Sequence, residues 1–295
     1  MCLQKLINKF WKFIEISDNE RISNTKYPDD IESIIDIPYI DDGDRCHLLD
    51  VYMPKDKIND TLPTIIDIHG GGYYYGYKEI NKLYNNTLAQ YGFKVVSGNY
   101  RLAPKFTFKD MVQDLFDELK WVKENAYKYG FDLNNLFITG DSAGGTITNL
   151  VLAANSNKEI QELFEVTPLV SFKAAAFTCG VLRPGRYPGF YMKYLYGKEY
   201  KKSKHYKVCD FKDNMSTSFP PVFFNTCKGD PFKKDNILAY NQMRENGLTA
   251  ELYYYENKKE NDKGVGHVYV ILTPDLDVSH KTTEELINFF KIYVD

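Results

Sequence analysis

Short apolar runs alternate with segments of helical spacing along most of this chain. The apolar runs predict strands at residues 63–69, 94–99, 136–139, 173–181, 222–226 and 251–255. Apolar positions that recur every three or four residues predict helices at 79–90, 111–122, 234–246, 282–293 and directly after Ser142. Such alternation predicts an α/β fold, with a mostly parallel central sheet flanked by helices and ligands at the carboxyl ends of the strands.

The first sixty residues follow a different pattern. Residues 31–40 and 46–53, joined by a turn at 41–44, predict an antiparallel hairpin. Before them lies a helical apolar stripe interspersed with lysines: Leu3, Ile7, Phe10 and Ile14, with Lys5, Lys9 and Lys12. We expect residues 1–30 to form a cap helix region over a domain spanning 31–295, with a helix on a membrane surface as the alternative. No apolar stretch reaches the length of a signal peptide core or a membrane span.

Residues 182–218 break the alternation of strands and helices. This stretch carries two prolines and two glycines near its start and then many tyrosines among lysines: Tyr187, Tyr191, Tyr194, Tyr196, Tyr200 and Tyr206. A connection this long inside a compact domain is typical of a lid or of a disordered excursion. We expect a lid insertion at about 182–218.

Composition narrows the class of protein. The formal charge of −3 over 295 residues gives no general attraction to nucleic acid or to an anionic membrane. The 24 tyrosines and 19 phenylalanines supply both core packing and material for an aromatic pocket. The five cysteines are odd in number and show no C-x-x-C spacing. This pattern favours reduced thiols and a cytoplasmic location over disulfides or a zinc site.

The most informative motif surrounds Ser142. The run Gly140-Asp141-Ser142-Ala143-Gly144-Gly145 follows a predicted strand and precedes a predicted helix. A sharp strand-to-helix turn strains the backbone at its corner, and glycines two positions to either side leave room for it to close. Ser142 is therefore predicted to be a nucleophile on such an elbow, presented at the carboxyl edge of the sheet.

A second motif, His69-Gly70-Gly71-Gly72, ends the predicted strand at 63–69. Successive glycines let backbone N–H groups point into a cavity without side chains in the way, which suits the binding of an oxyanion. We expect the amides of Gly71, Gly72 and Ala143 to be the donors and His69 to brace the loop. The alternative is a flexible turn.

A serine nucleophile needs a neutral imidazole beside it. Of the five histidines, His267 alone follows a glycine-rich loop late in the sheet, after the strand at 251–255. The other four lie in the hairpin, the glycine motif, the predicted lid and the approach to the last helix: His47, His69, His205 and His280. His267 is therefore the predicted base.

The predicted acid that orients the imidazole is Asp230, which directly follows the strand at 222–226 and precedes Pro231. The order serine, aspartate, histidine is that of the triads built on strand-to-helix elbows. A solvated turn aspartate is the alternative interpretation of Asp230. Asp262, five residues before His267, is the fallback acid.

Together these motifs resemble the α/β-hydrolase fold and, within it, the hormone-sensitive-lipase-like carboxylesterases. The resemblance covers about residues 60–293 and includes Asn99-Tyr100-Arg101-Leu102-Ala103-Pro104, where the family has an aspartate in place of Asn99. It implies a Ser142–Asp230–His267 triad, an oxyanion hole at Gly71, Gly72 and Ala143, and a cap built from the N-terminal helix and inserted segments.

The predicted reaction is two-step acyl transfer on a small-molecule ester of short acyl chain, and it requires no metal or cofactor. Four tyrosines near the glycine motif and in the predicted lid are candidate substrate contacts: Tyr73, Tyr74, Tyr191 and Tyr194. An amidase or peptidase would use the same catalytic groups. A small-molecule receptor without turnover is the alternative from another class.

Overall fold

The computed structural model describes residues 2–256 and 264–295, whose strands form one eight-stranded sheet in the order β1-β2-β4-β3-β5-β6-β7-β8. The strands are β1 Ile31–Pro38, β2 Leu48–Pro54, β3 Leu62–Ile68, β4 Lys94–Gly98, β5 Phe131–Asp141, β6 Ala174–Thr178, β7 Val222–Cys227 and β8 Ala250–Tyr255. The helices are α1 Cys2–Asn24, α2 Lys82–Gln90, α3 Phe108–Glu124, α4 Ala126–Tyr129, α5 Ala143–Ser156, α6 Lys158–Phe164, α7 Gly189–Tyr196, α8 Lys204–Lys207, α9 Lys233–Glu245, α10 Tyr269–Leu272 and α11 Asp277–Lys291.

The pairing of the strands brings the two glycine-rich motifs together. β2 pairs antiparallel with β1 and β4, and the other neighbouring strands are parallel. In the β3–β5 ladder, Ile68 lies opposite Gly140, so both strands end at the same edge of the sheet. The His69–Gly72 loop therefore begins beside the turn that holds Ser142. The predicted α/β fold with a mostly parallel sheet is confirmed.

Alternating side chains of the central strands feed two cores, one on each face of the sheet. In β3, Ile66 and Ile68 pack in the core that contains α3 and α5, whereas Ile65 packs on the opposite face against α2 and α11. In β5, Phe137 likewise lies on the Ile65 face. Each such side chain, when fully buried, contributes about 1.5–3 kcal/mol. Helices packed on both faces make the sheet a rigid support for the loops at its edge.

Helix α1 runs ten residues beyond the predicted stripe. After Ile14 the sequence turns polar, which removes the apolar signal that a sequence pattern depends on. The extra turns are held by polar contacts: Arg21 pairs with Asp18 at 3.1 Å and donates to the Ile80 carbonyl oxygen at 3.1 Å. Among the described residues, no helix is long and apolar enough to cross a membrane.

The stretch at 182–218 folds into short helices that pack on the domain. It contains α7 and α8, and the α7 side chains Tyr191, Met192 and Leu195 are buried. We use the word cap for α1 together with residues 182–218. Its position over the strand ends determines what the site below can bind.

Candidate active site

Ser142 occupies a strained backbone position between β5 and α5. Its φ of 48° and ψ of −119° lie outside the regions that ordinary residues prefer, a cost of about 1–3 kcal/mol. A Cβ at Gly140 would collide with Thr148 Oγ1, and a Cβ at Gly144 would collide with the Ile68 carbonyl oxygen. Neighbouring atoms therefore leave no room for a side chain at Gly140 or Gly144, the glycines two positions to either side of Ser142. The turn holds the serine at the strand end.

Three side chains from different strand ends meet at this turn. His267 Nε2 lies 2.8 Å from Ser142 Oγ, and His267 Nδ1 lies 2.8 Å from Asp230 Oδ1. The Ser142 and Asp230 side chains are buried, and the imidazole is 29% exposed. A carboxylate at Nδ1 leaves Nε2 free to accept the serine proton, provided that Nδ1 carries its own hydrogen. The geometry suits proton abstraction from Ser142.

Asp230 is held by more than the imidazole. Its Oδ2 accepts from Thr226 Oγ1 at 2.6 Å, and its Oδ1 also accepts from the Phe232 amide at 3.1 Å. These donors fix the carboxylate of a completely buried residue and compensate its loss of hydration. The fallback acid Asp262 lies outside the described residues.

In the described part of the chain, His267 is the histidine that hydrogen-bonds Ser142, and the other four have different partners or lie on the surface. His47 contacts Asp42, His205 contacts the Leu163 carbonyl oxygen, and His280 is exposed on α11. His69 is buried; its Nδ1 donates to the Gly70 carbonyl oxygen at 2.8 Å and its ring stacks on Tyr100. Burial lowers the pKa of His69 to about 4, so the ring is neutral at neutral pH. Its contacts are those of a brace for the glycine loop.

Three backbone amides near Ser142 have no hydrogen-bond partner in the described part of the chain. Among the described residues, no hydrogen bond is donated by the backbone N–H groups of Gly71, Gly72 or Ala143. Gly71 and Gly72 have φ values of 111° and 62°, which only glycine adopts without strain. Gly71, Gly72 and Ser142 line one cavity. Unpaired amides beside a nucleophile are the donors that an oxyanion needs.

A buried acid network supports the glycine loop from behind. Asp141 Oδ1 accepts from the Gly70 amide and from Asn81 Nδ2, each at 2.9 Å. The same Asn81 nitrogen donates to Asp67 Oδ2 at 3.0 Å. Burial is the main cause that raises the pKa of Asp67 to about 7 and that of Asp141 to about 6. Asp141, the neighbour of Ser142, thus anchors the His69–Gly72 loop.

A cavity of about 340 Å³ opens above Ser142, between the strand ends and the cap. Its lining is mostly apolar and comprises Phe10, Trp11, Ile14, Ser17, Asp18, Gly70, Gly71, Gly72, Tyr75, Ile80, Asp141, Ser142, Tyr187, Phe232, His267, Val268, Ile271 and Leu272. A larger depression of about 660 Å³ lies at the amino end of β5 and contains none of these groups.

Five aromatic residues of this lining are absent from the predicted contacts: Phe10, Trp11, Tyr75, Tyr187 and Phe232. Trp11 stacks on Tyr75 with ring centroids 5.4 Å apart. Burial raises the pKa of Tyr187, and a side-chain hydrogen bond with Ser142 opposes that rise. The spacing of Ile7, Trp11 and Ile14 was a usable signal, because these residues share the inner face of α1.

The four predicted substrate tyrosines lie elsewhere. Tyr73 is fully buried, with its hydroxyl 2.6 Å from Thr146 Oγ1, and belongs to the core. Tyr74 and Tyr194 donate to Asn8 of α1, at 3.0 and 3.2 Å. Tyr191 donates to the Gly72 carbonyl oxygen at 2.8 Å and accepts from Trp11 Nε1 at 3.2 Å. Packing and attachment of the cap account for these side chains, and none of the four lines the cavity.

One group of side chains in the described residues has metal-ligand spacing. The ligand atoms of Cys179, Asp230 and His267 lie within 4.8 Å of one another. Burial raises the pKa of Cys179 well above its ordinary value, so the thiol stays protonated and is a poor ligand. His267 and Asp230 already pair with each other, an arrangement that favours acid–base chemistry over metal binding.

The mostly parallel sheet, with a serine on a strained strand-to-helix turn at its carboxyl edge, defines the class of α/β hydrolases. A family model described as alpha/beta hydrolase fold matches residues 65–260, and the chain belongs to that family. The resemblance to its carboxylesterases that the motifs indicated is confirmed by the relatives that follow.

Two curated relatives and one solved structure show the range of similarity. A probable isoprenylcysteine alpha-carbonyl methylesterase of Oryza sativa subsp. japonica is 26% identical over 72% of this chain and 54% of its own length. The carboxylesterase NlhH of Mycobacterium tuberculosis is 27% identical over 75% of this chain and 70% of its own. Esterase B of Lactobacillus rhamnosis, in complex with a tributyrin phosphonate inhibitor, is 27% identical with a TM-score of 0.91, over 99% and 95% of the two chains. The match thus spans only about half of the rice protein.

Proposed function

We propose that this protein is a serine carboxylesterase in which Ser142 attacks, His267 is the base and Asp230 orients the imidazole. The observation that carries the proposal is the continuous hydrogen-bonded line from Asp230 through His267 to Ser142, with 2.8 Å at both joints. The free amides of Gly71, Gly72 and Ala143 beside Ser142 support it. The carboxylesterases and esterases among its relatives support the same class of reaction.

The mechanism is acyl transfer in two steps. Ser142 Oγ bonds to the ester carbonyl carbon while His267 Nε2 takes the hydroxyl proton. The amides of Gly71, Gly72 and Ala143 stabilise the oxyanion, and the C–O bond to the alcohol then breaks as His267 returns the proton to it. Water repeats the sequence on the acyl-enzyme, which releases the acid and restores Ser142.

The proposed substrates are small esters with short acyl chains. A cavity of about 340 Å³ is at the small end of ligand sites and has a mostly apolar lining. The related esterase B was captured with an inhibitor derived from tributyrin, an ester of short acyl groups. We further propose that the cap, α1 with residues 182–218, acts as a lid that limits the length of the bound chain.

The test combines labelling of the serine with turnover. A fluorophosphonate should label the wild type at Ser142 and should not label Ser142→Ala. This change should lower p-nitrophenyl acetate turnover by about 10⁴- to 10⁶-fold. Ser218→Ala, at an exposed serine, is the matched control and should leave both measurements unchanged.

A panel of substrates separates the alternatives. We expect p-nitrophenyl acetate and butyrate to be hydrolysed at least about tenfold faster than the decanoate, because the cavity does not hold a long chain. Comparable rates on matched anilides would establish an amidase. Lack of both labelling and turnover would establish a receptor and refute the proposal.

A further inference from the structure

The outward face of α1 is apolar. Leu6, Phe10 and Phe13 are 62%, 55% and 69% exposed, and Ile16 beside them is 58% exposed. Residues spaced by four and three positions lie on one side of a helix, so these side chains form a continuous stripe. An exposed stripe of large apolar groups marks a site of interaction on a folded protein.

The inner face of α1 is fixed to the domain, so the helix cannot turn this stripe inward without breaking contacts. Trp11 donates to Tyr191, and Asp18 accepts from Tyr75 at 3.1 Å. Asn8 accepts from two tyrosines, and Ile7 is buried. The orientation of the helix therefore leaves the apolar stripe on the surface.

Positive charge accompanies the stripe. Residues 2–14 contain Lys5, Lys9 and Lys12 and no acidic residue, although the whole chain has a formal charge of −3. Lys12 pairs with Glu15 at 3.0 Å. Within the described part of the chain, Lys5 and Lys9 have no carboxylate within 4.0 Å. Apolar side chains flanked by free lysines on one helix match the chemistry of an anionic lipid surface.

The stripe adjoins the mouth of the candidate active site. Phe10 lines the cavity above Ser142. Leu6 and Phe10 also line an apolar recess of about 480 Å³, together with the half-exposed Phe190 of the cap. Leu272, 41% exposed, lies in the cavity lining. A surface that covered the stripe would therefore face the entrance to Ser142.

The size of the stripe argues against a second copy of the chain as its partner. With roughly 150–250 Å² for a large side chain, the four exposed residues offer about 400–500 Å². A stable protein interface buries about 800 Å² on each partner. A lipid surface needs no complementary shape and gains from each inserted side chain separately.

We propose that the outward face of α1 docks on an anionic phospholipid surface and holds the mouth of the candidate cavity against it. Leu6, Phe10 and Phe13 enter the boundary between headgroups and acyl chains, while Lys5 and Lys9 contact the phosphates. The inference does not depend on which reaction Ser142 carries out.

The experiment measures co-sedimentation of the 295-residue protein with vesicles of phosphatidylcholine, alone and mixed with phosphatidylglycerol. We expect binding to the mixed vesicles, much weaker binding to the neutral ones, and loss of binding as salt rises from about 0.1 M to about 1 M. Phe13→Ser should weaken binding about tenfold. The double change Lys5→Gln and Lys9→Gln should weaken it about twentyfold.

Phe13 and the two lysines line neither the cavity nor the recess, so soluble p-nitrophenyl acetate turnover should be unchanged in both variants. Ile292→Ser, at a 66% exposed apolar residue after α11, is the matched control and should bind vesicles like the wild type. Circular dichroism shows whether each variant remains folded.

Three outcomes would overturn the inference. The wild type fails to bind mixed vesicles, or it binds them equally well after both changes. Alternatively, the wild type binds no vesicles, and sedimentation velocity reveals a dimer that Phe13→Ser dissociates. That result would make a second copy of the chain the partner. Absence of soluble ester hydrolysis in the wild type would refute the proposed function and leave the vesicle result standing.

Discussion

The loops at the strand ends and the cap above them build opposite sides of one cavity in different ways. Below, Ser142, His267 and Asp230 each follow a strand and are joined by short polar contacts. Above, the cap contributes aromatic rings from segments far apart in sequence, such as Trp11 of α1 and Tyr187 of the stretch at 182–218. Local sequence therefore positions the candidate catalytic groups, whereas long-range packing shapes the cavity above them.

The largest effect is expected when the hydrogen bonds that join Asp230, His267 and Ser142 are broken. Asp230→Asn should lower kcat about 10⁴-fold, because the neutral amide no longer selects and stabilises the productive imidazole. Asp262→Asn is the comparison that tests the fallback acid. Steady-state turnover of p-nitrophenyl acetate decides between them, and the reverse ranking would assign the role to Asp262.

The next effect compares two glycines close to the candidate triad. Gly144→Ala should lower activity at least about 100-fold, since the new Cβ collides with the Ile68 carbonyl oxygen and must displace the elbow or β3. Gly266→Ala, next to His267, should be tolerated because no heavy atom lies within 4 Å of its Cβ position. Turnover and thermal melting of both variants check this, and equal losses would contradict the close-approach argument.

The buried acids behind the strand ends should make stability depend on pH. Burial raises the pKa of Glu118 to about 8 and that of Asp67 to about 7, so the folded state keeps protons that the unfolded chain releases. The free energy of unfolding should therefore fall as pH rises from 6.5 to 8, by on the order of 1 kcal/mol per pH unit. His69, whose pKa is lowered to about 4, acts in the opposite direction only below this window.

The cap contributes no such dependence through Tyr187 and Tyr191, because burial raises the pKa of each and both stay neutral. Glu118→Gln should flatten the pH dependence of urea unfolding. Glu124→Gln, exposed on the same helix, is the control and should leave the slope unchanged. A slope of equal size in Glu118→Gln would show that Glu118 does not hold the proton.

The smallest effect is expected at the joint between the cap and the glycine loop. Tyr191→Phe removes the hydroxyl that donates to the Gly72 carbonyl oxygen and should cost about 1 kcal/mol, or three- to tenfold in kcat/KM. Tyr194→Phe removes a contact to Asn8 on an exposed side and should change little. Equal effects in ester hydrolysis would mean that Tyr191 acts through general packing of the cap.

Much of the candidate site could be predicted because its residues stand beside strand ends and glycines. The motifs around His69 and Ser142 carry local signals, and His267 and Asp230 follow from their positions in the order of strands. Tyr73 shows where this reasoning stops. Its position directly after the glycine loop predicted a substrate contact. In the structure the Tyr73 backbone has a left-handed φ of 65° and its side chain is buried in the core.

The α/β class, the strained serine turn and the glycine loop follow from the amino-acid sequence, because each depends on hydrophobic spacing or on backbone freedom within a few residues. The identity of the aromatic rings that line the cavity and the exposed face of α1 are instead set by tertiary packing. Those outcomes depend on contacts such as Trp11 with Tyr191, and a periodic pattern does not specify the partner of a side chain across 180 residues.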